Sequence, residues 1–217
     1  MTEATQQALT GLRDLSMIKW YVIPLLAIVF YIYTKEIKDA RQNGDWNAVL
    51  AGLTIFGVDF FNETWNGWVM YLTQRSAFWT TPGDTALRTL VGWNIEIMFM
   101  FLIIGIIFYH TLSESKKDKI LGLPEKWFWA ISYSIFCVFV ECLLNIGGHL
   151  VWEYPFWYLS FKGVWLIFLI GYFHFFCFAI LVISLKSMKA KLTTVGIIYT
   201  VPIIMNVLAF GFWGWNY

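Results

Sequence analysis

The sequence predicts an all-α, polytopic membrane protein with six transmembrane helices and both termini on the same, outer side. Three observations predict it. Of 217 residues, 59% are hydrophobic and 13% charged, which is more apolar surface than a soluble chain of this length can keep from water. Apolar runs long enough to cross a bilayer recur at about 17–34, 47–72, 88–112, 127–152, 163–185 and 192–215. The basic side chains favour alternate connections. Ten of the fifteen (Lys35, Lys38, Arg41, Lys116, Lys117, Lys119, Lys126, Lys186, Lys189 and Lys191) follow the first, third and fifth runs, which marks those connections as cytoplasmic.

The elements follow in order. Residues 1–16, MTEATQQALTGLRDLS, form a polar segment without the charged start and short apolar core of a secretory leader. They open a single membrane domain covering 1–217. Each run must be helical, because backbone polar groups find no water at that depth. Pro24 and Pro202 fall inside the first and sixth runs and predict kinks. Pro82, Gly83 and Asp84 break the chain before the third run, and Pro124 with Glu125 starts the fourth. Cys137, Cys142 and Cys177 lie in apolar runs with no CxxC spacing, so they read as inert thiols. The net charge of +1 and the lack of a basic tract exclude a nucleic-acid partner.

Four carboxylates fall within the runs: Asp59, Glu63, Glu96 and Glu141. Lys and Arg occur only at the ends. In VDFFNETWNGWVMY, Asp59, Asn62, Glu63 and Asn66 are spaced i, i+3, i+4, i+7 and form one helical stripe. An unpaired charge in hydrocarbon costs at least ~2.5–3.5 kcal/mol. Such acids must therefore be protonated, share protons, hold a cation or face a wet cavity. Counted from the outer helix ends at ~1.5 Å per residue, Glu63, Glu96 and Asn206 lie roughly 12–14 Å deep, Glu141 and His174 roughly 16 Å, and Asp59 roughly 20 Å. Five helices thus place polar groups near one level.

Around that level Asn62, Asn66, Asn94, Asn145, His149, His174 and Asn206 are candidate ligand-orienting groups. The competing reading of the asparagines is glue between helices. Ten of the thirteen tryptophans lie at or below the outer face. Trp65, Trp68, Trp93 and Trp152 stand near the acids, either as interface-belt residues or as walls of a pocket for a lipophilic molecule.

Such a layer suits cofactor-independent proton transfer. One acid protonates an alkene or epoxide, another carboxylate removes a proton elsewhere, and aromatic faces stabilise the carbocation between. Glu63 and Glu96 are the expected pair, Glu141 a third acid or orienter, and Asp59 a tuner one turn from Glu63. A metal site is disfavoured, since no HxxxH, HxxHH or ExxH spacing supplies paired ligands. A proton- or cation-coupled transporter, or a non-catalytic binding or assembly subunit, stays open as an alternative. The expected partners are a lipophilic small molecule and membrane lipid, with a homo-oligomer also open.

The second and third runs carry Glu63 beside Trp65 and Trp68, then Gly83-Asp84, then Glu96. In that order they resemble the emopamil-binding (EXPERA) family of sterol isomerases and, more distantly, the small integral-membrane terpene cyclases. Where the EXPERA pattern has a His one turn before the first acid, this chain has Asp59. The resemblance covers about a quarter of the chain. It implies isomerisation, cyclisation or hydration of an isoprenoid or sterol-like substrate by intramembrane acids.

Overall fold

The computed structural model describes residues 1–113 and 118–217. Lys116 and Lys117, two of the orienting basic residues, lie outside the described residues. After a short helix α1 (Glu3–Thr10), long helical stretches occupy all six apolar runs: α2 (Val22–Asn43), α3 (Asn47–Thr73), α4 (Ile95–Thr111), α5 (Glu125–Ile146), a continuous stretch Phe161–Ser184, and α8 (Met188–Asn206) with its extension to Phe212. The stretch Phe161–Ser184 contains α6 (Phe161–Leu166), a π-helical segment Ile167–Phe173, and α7 (His174–Ser184). Glu125–Ile146, Phe161–Ser184 and Met188–Phe212 are long and apolar enough to cross a membrane. The apolar α4 has 17 residues. The 27-residue α3 is long enough but carries the acids.

Several boundaries differ from the apolar runs, each for a local reason. Hydrophobicity begins at residue 17, but α2 begins at Val22 and continues through its charged end until Gly44 stops it. Gly44 takes φ 75° and donates its N–H to the Ala40 carbonyl at 2.9 Å, a left-handed cap that suits glycine. Pro24 does not kink this helix. It sits in the first turn, where its missing N–H costs no intrahelical bond. Pro202 does lie inside α8, four residues before Asn206. Residues 88–94 are not helix but a hairpin of β2 (Arg88–Leu90) and β3 (Trp93–Asn94).

Helix α3 is the axis of the bundle, packed against α4, α7 and α8. Its approach to α4 depends on small residues. A Cβ on Gly105 would stand 2.5 Å from the Ala51 carbonyl oxygen and 2.7 Å from the Gly52 Cα, and one on Gly52 would stand 2.8 Å from the Leu102 carbonyl. Backbone meets backbone here, as at small-residue crossings in membranes. Gly105→Ala is therefore expected to push the helices apart at a cost of about 1–3 kcal/mol. A lowered unfolding midpoint in mild detergent checks this, and an unchanged midpoint would refute the close crossing.

One end of the bundle is closed by a cap built from loops. Strand β1 (Trp79–Thr80), after α3, pairs antiparallel with β6 (Val151–Trp152), after α5, in the register Trp79 to Trp152. Two further strands, β4 (Lys119–Ile120) and β5 (Leu123–Pro124), form a separate hairpin before α5. The polar N-terminal segment is part of the cap: Thr5 and Ala8 of α1 are fully buried. The chain's two ends meet there, where Arg13 donates to Asn216 Oδ1 and to the Tyr217 carbonyl. The buried Tyr217 ring lies on Gly67 of α3, where a side chain would collide with it.

Arg88 organises this cap. It ranks among the largest fully buried side chains and donates to three backbone carbonyls: Thr81 at 2.7 Å, Gly83 at 2.9 Å and Ala8 at 3.1 Å. It thereby closes the loop after β1 onto α1.

Candidate functional site

The stripe on α3 faces a cavity of about 570 Å³. Helix α5 packs mainly on the π-helical segment rather than on α3, and the space between these elements and α4 is the cavity. Asp59, Asn62 and Glu63 of α3, Glu96 of α4 and Glu141 of α5 line it. Asp59 and Glu63 are each 3% exposed and Glu141 is 5% exposed. The three are close enough for their charges to be felt in sequence, Asp59 by Glu63 and Glu63 by Glu141.

Each of these three acids is held by an indole. Trp93 Nε1 donates to Asp59 Oδ2 at 2.7 Å, Trp79 Nε1 to Glu63 Oε1 at 2.8 Å, and Trp152 Nε1 to Glu141 Oε1 at 2.9 Å. The cap explains why. Trp79 and Trp152 are cross-strand partners in the β1–β6 pair, so one two-residue ribbon delivers a donor to an acid on each of two helices. Trp93 stands on β3 and stacks on Phe60, one residue after Asp59, with ring centres 5.4 Å apart. Gly92 lets Trp79 come close, since a Cβ there would lie 2.6 Å from its indole. An indole N–H only donates, so this scaffold offers the carboxyl groups acceptor roles without supplying a countercharge.

Two polar atoms of residues in the wall are enclosed without a partner. Among the described residues, Glu63 Oε2 and Trp157 Nε1 have no hydrogen-bond partner, and both are buried. Trp157, 4% exposed, stacks on Trp79 with ring centres 5.5 Å apart. The π-helical segment turns Gly171 and Tyr172 to the same wall, and Tyr172 lies beside Glu141. The remaining wall is apolar. Met100 and Ile107 of α4 and Phe136 of α5 belong both to it and to the bundle's exposed flank. The cavity therefore opens sideways between α4 and α5.

Glu96 differs from the other three acids. Its Oε1 accepts from the Tyr21 hydroxyl at 2.7 Å and the Ala86 N–H at 2.9 Å, and its Oε2 accepts from the Thr85 hydroxyl at 2.7 Å. Arg88 is near enough to feel the charge of Glu96. This acid staples the cap to the start of α4.

The other candidates from the sequence divide between wall and scaffold. Asn62 lines the cavity and donates to the Ile170 carbonyl at 3.4 Å. Asn66 accepts from the backbone N–H groups of Phe78 and Trp79 and donates to the Trp79 carbonyl, fixing the strand that carries Trp79. Asn94 caps α4 by accepting from the Ile97 N–H. Asn145 closes the turn after α5 by donating to the Leu150 carbonyl. Asn206 joins α8 to Thr64 of α3 and accepts from Tyr217. These four serve as glue and caps, not as cavity wall. His149 is exposed, and His174 packs edge-on against Phe175, away from the wall. Trp65 is 40% exposed, while Trp68 packs in a cluster with Trp213 and Trp215. Cys137 lines the cavity, whereas Cys142 and Cys177 are half-buried.

A model of an uncharacterized membrane protein family matches residues 2–211. The chain belongs to this family. It is accordingly an integral membrane protein, in agreement with its apolar helices. An Archaeoglobus fulgidus protein described as an uncharacterized protein is 43% identical over 209 residues, which is 96% of each chain. The likeness thus runs through the cap as well as the helices of this membrane protein. No solved structure matches it.

Trp79 and Trp157 are tryptophans of the wall that the sequence analysis did not single out. Both stand in short connections, SAFWTTPG and YPFWY, where the ordinary reading is an interface belt. The available signal was their number: aromatic residues crowd the two loops on the acid-bearing side.

Proposed function

We propose that this membrane protein takes a lipophilic molecule from the bilayer through the gap between α4 and α5 and performs acid/base chemistry on it. In this reading six helical stretches cross the membrane and the cap, with both termini, lies outside. The reaction is an isomerisation, cyclisation or hydration of an isoprenoid or sterol-like substrate. Glu63 and Glu141 transfer protons, Asp59 tunes Glu63, and Glu96 holds the cap rather than pairing with Glu63.

The observation that carries the proposal is the set of three buried acids in one largely apolar cavity, each fixed by an indole N–H and none fixed by a cation. Structural acids are ordinarily used up by their partners, as Glu96 is. Glu63 lines the cavity and keeps one oxygen, Oε2, without a hydrogen-bond partner among the described residues. Trp79 and Trp157 line the same cavity, and aromatic rings there would help to stabilise a transient cation. A lateral opening lined by Met100, Ile107 and Phe136 suits a substrate that arrives dissolved in acyl chains.

The test uses purified protein in detergent, supplied with the total lipid extract of its own membranes in D2O. Protonation at carbon places deuterium in the carbon skeleton of one lipid class, read by mass spectrometry. Recovery of every lipid without protein-dependent C–D bonds would defeat the enzymatic reading and leave a binding or assembly role.

A further inference from the structure

We propose that the cavity holds an elongated lipophile lengthwise, its reacting end at the capped end of the bundle and its hydrocarbon tail running down to Tyr133. This rests on the reading of the cavity as a site for a lipophile and deepens it by naming that molecule's length and direction.

The lining residues follow the axes of two antiparallel helices. On α4, which starts at the cap, they extend from Glu96 to Ile107, and on α5, which ends at the cap, from Tyr133 to Leu144. Each span covers ~16 Å at the helical rise of ~1.5 Å per residue. Polarity is uneven along that length. Asp59, Asn62, Glu63, Glu96 and Glu141 stand in the half nearer the cap. The other half is lined by Ile103, Ile104, Ile107, Phe136, Cys137 and Phe175, a surface suited to hydrocarbon.

Tyr133 closes the far end. Its hydroxyl shares a hydrogen bond with the Thr111 hydroxyl at 2.7 Å, which joins α5 to α4 one turn beyond Ile107. Its ring packs edge-on against Phe108 of α4 with centres 5.8 Å apart and lies 5.7 Å from Phe176 of α7. Both phenylalanines are buried. The tyrosine thus braces three helices at the level where the lining residues end, ~12 Å beyond Glu141.

A reacting group finds partners only in the capped half, and a chain finds apolar contact in the other. A tail that left sideways between α4 and α5 would leave the space above Tyr133 unfilled and forfeit those contacts. An extended chain advances ~1.2 Å per bond, as an extended backbone does, so ~16 Å takes up about thirteen bonds. A chain of three isoprene units matches that length.

The experiment is photolabelling of the detergent-solubilised protein with two diazirine derivatives of farnesol, followed by peptide mapping. One carries the diazirine at the tail terminus and the other beside the hydroxyl. Labelling suppressed by excess farnesol identifies the site. The tail probe is expected on segments 103–107 and 133–137, and the head probe on segments 79–92 and 141–157. Cys137→Phe fills the space one turn above Tyr133. It is expected to weaken farnesol binding about tenfold or more, read by native mass spectrometry, while the shorter geraniol binds as before. The two probes in exchanged positions, or a tail probe that labels no segment of the protein while the head probe labels the capped half, would overturn the inference and leave the cavity reading standing. Undiminished farnesol binding by folded Cys137→Phe would overturn it too, and the wild-type photolabelling decides alone if that variant fails to fold. No competable labelling by either probe would remove the lipophile reading itself.

Discussion

Glu63→Gln is expected to abolish deuterium incorporation while leaving the protein folded. The loss should be about 10²–10⁴-fold, the usual contribution of a positioned acid or base. The geometry explains why folding should survive. The glutamine carbonyl oxygen can still accept from Trp79 Nε1, the bond that ties α3 to β1. Its NH2 group then takes the place of Oε2, which has no hydrogen-bond partner in the wild-type protein among the described residues. Glu96→Gln provides the contrast. Both oxygens of Glu96 accept, from Tyr21, Thr85 and the Ala86 N–H. An NH2 group there meets a donor whichever way the amide turns, unless a hydroxyl rotates to accept. That variant should lose stability, by about 1–3 kcal/mol for a mispaired buried group, before it loses turnover. The measurement is the unfolding midpoint beside the isotope assay for both variants. A Glu63→Gln protein that still labels its lipid would remove Glu63 from the chemistry. A stable Glu96→Gln protein without labelling would restore the Glu63 and Glu96 pair that the sequence suggested.

The contrast between these two glutamates also shows where sequence reasoning stops. Helices at the six apolar runs were legible, because hydrophobic length alone demands them in a bilayer. The stripe of Asp59, Asn62 and Glu63 was legible too, since i, i+3, i+4 spacing on one helix needs no tertiary information. What could not be read was which polar atoms are already satisfied. Asn66, Asn94 and Asn145 share the acids' depth, but each is used by a backbone group within fourteen residues of it. Such caps depend on loops whose path the helical pattern does not determine. The same loops hid Trp79 and Trp157. A short ribbon between two connections, with Trp79 opposite Trp152, arises from long-range pairing. The helical periodicity that located the acids carries no trace of it. Residues 88–94 were misread for a related reason: Leu90, Val91 and Trp93 are fully apolar in the hairpin, buried by the cap rather than by lipid.

Arg88→Lys is expected to be the most damaging conservative substitution in the chain. The guanidinium serves three carbonyls in three directions, those of Thr81, Gly83 and Ala8, with donors on Nε and both terminal nitrogens. A lysine ammonium has three donors at a single point and no planar fork to spread them. It cannot span the loop and α1 together, so at least one buried carbonyl loses its charged partner and a strongly hydrated cation remains enclosed. Hydrogen bonds to charged groups contribute ~1.5–3 kcal/mol each, so the loss of even one should cost about 1.5–3 kcal/mol by that measure. The consequence extends beyond stability. Arg88 sets the loop leading from β1, the strand that carries Trp79 to Glu63, and it begins the hairpin that carries Trp93 to Asp59. Loosening the cap should therefore release two of the three indoles that hold the acids, and water should enter the cavity from the capped end. Hydrogen exchange read by mass spectrometry checks this directly. Amides of residues 78–94 and of α1 should lose protection in Arg88→Lys, while those of α5 and α7, which pack through other contacts, keep theirs. Protection retained throughout the cap would mean that the three carbonyls are held in place without the guanidinium, and that Arg88 owes its burial to something other than closing the site.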